Sequence, residues 1–88
     1  MVSDTVTIVN PEGFHMRPAN LFVQAMSRFQ SDITLHYNGT PIDGKSIMNL
    51  MAACMRQGAQ VIIECSGPDE AAMLAAATDL IRSGLGEA

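Results

Sequence analysis

Gly13-Phe14-His15-Met16-Arg17-Pro18-Ala19 leads into a helical apolar pattern, and the rest of the chain can be read outward from it. Ala19, Phe22, Val23, Met26 and Phe29 recur at helical spacing, while Asn20, Gln24, Ser27 and Ser31 mark the opposite, polar face. Pro18 suits a first turn, whose N–H groups have no intrahelical partner to lose. A helix over 15–29 is therefore expected, with His15 at its mouth.

Before this helix, residues 5–9 alternate as a strand would. After it, Ile33, Leu35 and Tyr37 alternate with Thr34 and His36, and Asn38-Gly39 signals a two-residue hairpin into a short strand over 40–42. Pro41 suits an edge position. A short helix over 47–55 follows, ended near Gly58, and then a β-branched strand over 60–65. Pro68-Asp69-Glu70 opens a last, Ala-rich helix, with Arg82 and Gly84 at its end. Leu74, Ala77, Leu80 and Ile81 are expected to pack that helix on the sheet. The order β-α-β-β-α-β-α predicts an α/β (α+β) two-layer open-faced sandwich: one four-stranded antiparallel sheet with three helices on one face. No linker or repeat divides the chain, so residues 1–88 are read as a single domain.

The chemistry follows from His15 standing where helix 15–29 begins. The positive helix end and its unbonded N–H groups form a ready anion site. They disfavour a cationic imidazolium and favour a negatively charged phosphoryl group on the ring. Arg17 can add a charge-assisted, bidentate contact to phosphoryl oxygens. The local sequence thus suits covalent carriage of phosphate on histidine, with no metal and no cofactor required. A histidine in a turn can equally be a surface residue or a plain cap.

A second stretch strengthens the first reading. Gly44-Lys45-Ser46-Ile47-Met48-Asn49-Leu50-Met51 sets Ser46 as the N-cap of an apolar helix. Taken together, the two stretches and the chain length resemble the HPr family, the histidine phosphocarriers of the bacterial phosphoenolpyruvate-dependent sugar phosphotransferase system. The resemblance covers essentially the whole chain and implies the fold described above. It implies that His15 accepts the phosphoryl group through Nδ1, that Arg17 contacts it, and that the backbone N–H groups of Met16 and Arg17 cradle it. It implies enzyme I as donor, enzyme IIA domains as acceptors, and an HPr kinase/phosphorylase acting on Ser46 in some bacteria. Ile47, Met48 and Met51 fall where the family has an exposed apolar docking patch, with Leu50 and one methionine expected inside. Two positions depart from the pattern: Met16 is bulkier than the family's usual residue, and Glu12 would repel a phosphoryl dianion if it pointed inward.

Composition narrows the alternatives. The 88 residues are 48% hydrophobic and 16% charged, which indicates a folded globule. A net charge of −4 with five scattered Lys and Arg argues against nucleic acid and anionic membranes as partners. Neither a membrane-spanning run nor a leader pattern is visible, so cytoplasmic residence and a monomer are expected. Cys54 and Cys65 lie in apolar segments without metal-ligand spacing and read as small buried thiols. His36 reads as a solvent-facing strand residue without a role. Two rival readings stand beside the carrier: a regulatory HPr homologue that controls other proteins without sugar transport, and a small ligand-binding or interaction domain with an incidental His15.

Overall fold

In a computed structural model, residues 1–86 are described. Seven elements follow one another: β1 (Val2–Thr7), α1 (Met16–Met26), β2 (Asp32–Tyr37), β3 (Thr40–Asp43), α2 (Ile47–Ala52), β4 (Gln60–Ser66) and α3 (Glu70–Arg82). The strands form one four-stranded antiparallel sheet, as the sequence pattern predicts, and the structure sets their order as β1-β4-β2-β3. Side chains alternate across it, so Val6, Ile33, Leu35, Ile42, Val61, Ile63 and Cys65 enter one core with the helices. Asn38 (φ 52°) and Gly39 (φ 79°) both take left-handed backbone, the requirement of a two-residue hairpin turn whose twist matches the strands. Pro41 lies on the edge strand β3, where its missing N–H costs no ladder bond.

Several boundaries differ from the sequence expectation, each for a physical reason. Strand β1 starts at Val2 rather than at residue 5, because the ladder with β4 carries back through Asp4 to Val2, although Asp4 interrupts the apolar alternation. Its carboxylate accepts a hydrogen bond from Arg82 of α3 at 3.2 Å. Bonds between Ile8 and the backbone of Gly58 and Ala59 extend the β1–β4 pairing without further strand. Helix α1 ends at Met26, and the chain tightens into Phe29 N–H donating to Met26 C=O. Helix α2 ends at Ala52, before the expected residue 55, because Cys54 adopts φ 56°. Only Cys65 is the buried thiol that was expected; Cys54 is exposed. Burial pushes the Cys65 thiol up to about 11, with the carboxylates of Glu70, Asp69 and Glu64 adding to the effect. On α3 the buried residues are Met73, Ala77, Thr78 and Ile81, with Leu74 and Leu80 only half-buried. An Ala-rich helix offers too little polar contrast to orient its face from sequence.

Ser31 is buried rather than on the polar face of α1, and a clamp explains why. Asp69 caps α3 by position but turns its carboxylate away. It accepts from the Ser31 hydroxyl, from Ser31 N–H at 2.9 Å and from Gln30 N–H at 3.0 Å, while Asp69 N–H donates to Ser31 Oγ. The link joins the α1–β2 connection to the start of α3 across 38 residues of chain.

The clamp has a pH signature. The Ser31 hydroxyl, and then Gln30 N–H, hold the Asp69 carboxyl below its ordinary 3.8. The N-terminal ammonium, and then Gly67 N–H, likewise hold Glu70 below 4.5. A carboxylate lowered by folding adds stability above its unfolded value and loses it as pH falls through the folded value. Thermal unfolding should therefore show Tm falling steeply on acidification below pH 3.8, with a shallower fall in Asp69→Asn. Superimposable acid limbs in the two proteins would remove this role from Asp69.

Candidate functional site

The site grows out of a loop anchored from below. Asn10 is buried, and its side-chain N–H donates to Gly13 C=O at 2.8 Å, while Gly13 N–H returns to Asn10 C=O at 3.2 Å. Gly13 holds φ 63°, and a Cβ there would stand 2.0 Å from Met55 C=O, so a side chain cannot fit. That close approach lets Phe14 N–H donate to the same carbonyl at 3.1 Å. The Phe14 ring is buried and meets Phe22 edge to face, centroids 5.3 Å apart. With Phe14 held inside, the next residue is carried to the surface.

That residue is His15, which stands as the N-cap of α1 with extended backbone (φ −90°, ψ −170°). Its side chain does not cap the helix, so the imidazole is left for other contacts. Met16 and Arg17 are the first helical residues, with Pro18 and Ala19 buried behind them. Met16 is exposed, which leaves the ring within reach rather than covered. Glu12, His15, Met16, Arg17 and Asn20 line one cleft. No acidic residue occupies the first turn of α1, so nothing within the helix offsets its positive end.

Glu12 does point inward, but toward the ring: its Oε2 lies 3.1 Å from His15 Nε2. The sequence treated this carboxylate only as a repelling charge, and the turn around Asn10-Pro11-Glu12-Gly13 is the signal that brings it back. Chemically, the arrangement can offer one imidazole nitrogen to an electrophile beside a helix N-terminus and a guanidinium. His36 lies apart on the open face of the sheet, 3.3 Å from Glu64, with its side chain 36% exposed.

The second stretch lies on α2, which packs against α1. Ser46 is its N-cap as expected, its hydroxyl accepting from Asn49 N–H at 3.2 Å. Lys45 Nζ donates to Phe29 C=O at 3.0 Å and ties the lead-in of α2 to the end of α1. Met48 is 79% exposed and Met51 36%, whereas Leu50 is buried. Ile47 is half-buried against the core, so it belongs to the apolar patch by its edge only. Of Met48, Met51 and Met55, the one that turns fully inside is Met55, beyond the helix.

Comparison with known proteins agrees with this geometry. The family model described as the PTS HPr component phosphorylation site matches residues 2–83. Phosphocarrier protein HPr of Neisseria meningitidis is 38% identical over 87 residues, spanning 99% of this chain and 98% of that protein. The crystal structure of HPr from Thermoanaerobacter tengcongensis is 40% identical and superposes with a TM-score of 0.95, covering 100% of this chain and 99% of that one. Crh of Bacillus subtilis, a catabolite repression protein that forms a swapped dimer, is 34% identical with a TM-score of 0.78 over 96% of this chain and 97% of its own. Among the described residues, no helix is long and apolar enough to cross a membrane. The chain belongs to the HPr family, the phosphocarriers of the bacterial phosphotransferase system.

Proposed function

We propose that this protein carries a phosphoryl group on His15, taking it from enzyme I and passing it to enzyme IIA domains. The observation that carries the reading is His15 at the N-cap of α1, in one cleft with Arg17 and next to the first-turn N–H groups of Met16 and Arg17. In the forward step a lone pair of the His15 ring forms a bond to phosphorus, and the donor leaves with the electron pair of the bond it loses. The N–H groups and Arg17 balance the charge of the phosphoryl oxygens as they arrive. The carrier works as a monomer in the cytoplasm and turns over by meeting partners in sequence. Met48 and Met51, with the edge of Ile47, supply an adaptable apolar docking face on α2.

Two variants and a control decide this reading. Incubation with enzyme I and labelled phosphoenolpyruvate should give an acid-labile, base-stable adduct that vanishes in His15→Ala and persists in His36→Ala. Arg17→Ala should stay folded and lose about 1.5–3 kcal/mol of charge-assisted contact, about ten- to a hundredfold in transfer rate. Arg17→Lys should recover only part, since an ammonium lacks the guanidinium fork. Label retained in His15→Ala sinks the reading, and wild-type transfer by Arg17→Ala removes the arginine from it.

A second reading rests on Ser46 and on the likeness to Crh. Phosphorylation of Ser46 by an HPr kinase/phosphorylase would add about −1.5 to −2 charges beside Met48 and Met51. Such a charge weakens docking at this face and so converts the carrier into a regulated, or regulatory, protein. Ser46→Asp should therefore keep the fold, since aspartate also caps helices, yet transfer phosphate from enzyme I much more slowly. Ser46→Ala should transfer normally and lose about 0.5–2 kcal/mol of stability in chemical denaturation. Equal transfer rates for Ser46→Asp and wild type would leave Ser46 as a cap only.

A further inference from the structure

We infer that Met16 is an oxidation site whose sulfoxide form slows the loading of His15. The inference rests on the carrier reading and adds to it a reversible control of the same cleft. The seven methionines divide by exposure: Met26, Met55 and Met73 are buried, whereas Met1, Met16, Met48 and Met51 are exposed. A buried thioether is shielded from small oxidants, and an exposed one is open to them. Met1 lies at the chain terminus, and Met48 and Met51 lie on α2. Met16, at 68% exposure, is the first residue of α1 and lines the cleft of His15 and Arg17.

The oxidant is of the hydroperoxide class, with hydrogen peroxide its simplest member. A lone pair of the Met16 sulfur attacks one peroxide oxygen, so that an S–O bond forms as the O–O bond breaks. The departing oxygen leaves with the O–O electron pair, takes the proton from the transferred oxygen and becomes water. Sulfur is oxidised by two electrons and the peroxide is reduced by two. A flexible apolar side chain has then become a polar one. Its oxygen accepts hydrogen bonds in a cleft that also holds the Arg17 guanidinium, whose donors the carrier reading assigns to phosphoryl oxygens. The negative end of the S–O dipole also enters the cleft that an anion must enter. Both effects oppose loading of His15, and neither disturbs the buried methionines of the core. Methionine sulfoxide is returned to the thioether by dedicated reductases, so the change is reversible.

The test uses a Cys54→Ser background, because the exposed Cys54 thiol also reacts with peroxide. The chain is treated briefly with hydrogen peroxide, which is removed before enzyme I is added. Peptide mass spectrometry should find one added oxygen on Met16 while Met26, Met55 and Met73 stay unoxidised. Phosphoryl uptake should slow roughly three- to tenfold, as expected when part of one charge-assisted contact is lost. Methionine sulfoxide reductases acting on both epimers should return the rate. Met16→Leu, measured against its own untreated rate, should keep most of its uptake after the same treatment. The role is overturned, with the carrier reading intact, by a Met16 that stays unoxidised while Met48 gains oxygen. Unchanged uptake with Met16 fully oxidised, or a Met16→Leu variant that loses as much as its parent, has the same consequence. An untreated chain that takes up no phosphoryl group would overturn the carrier reading and this role with it.

Discussion

Phe14 packed on Phe22 is the contact on which the site depends. An aromatic pair of this kind adds to the burial of both rings and fixes their mutual orientation. It holds the residue before His15 inside the core, while Gly13 allows the backbone to lie against Met55 C=O. His15 then has one direction left, outward, at the point where α1 begins. A nucleophile set by buried neighbours on a helix end has a better defined position than one on a mobile loop.

The charges around His15 form a small, ordered set. The α1 terminus begins at His15, Arg17 lines the same cleft, and Glu12 Oε2 lies at His15 Nε2. None of these groups is deeply buried, which matches a carrier that must give up what it accepts. A closed, strongly binding site would hold the phosphoryl group too well for onward transfer. Under the proposed function, the exposed methionines of α2 extend the same logic to partners, since flexible thioethers adapt to unlike surfaces without a fixed fit.

Far from the site, the fold is held by links that differ in kind. The sheet puts β4 between β1 and β2, so the strand latest in sequence joins the earliest to the middle of the chain. The Asp69–Ser31 clamp then locks the α1–β2 connection to the start of α3 through bonds accepted by a single carboxylate. Lys45 performs a lighter version of the same task between α2 and α1. These ties join the segment that follows α1 to α3 and to the lead-in of α2, and α1 is the element that presents His15.

The sequence alone determined the element order, the antiparallel sheet, the Asn38-Gly39 turn, the Ser46 cap and the place of His15 at a helix mouth. All of these follow from local periods, turn residues and caps, which act over a few neighbouring positions. Ser31 and Cys54 were misread, and Asp4 was left outside the first strand, because their partners or backbone angles lie outside any local window. Asp69 reaches Ser31 across 38 residues, Arg82 reaches Asp4 across 78, and nothing about a cysteine signals φ 56°. The face of α3 that buries Met73 and Thr78 was likewise decided by β1 and β4, against which it packs. Glu12 was visible as a charge, but whether it repels a phosphoryl group or grips Nε2 depends on the direction of a turn. Only the folded chain sets that direction, because Phe14, Gly13 and the Met55 carbonyl meet from segments about forty residues apart in sequence.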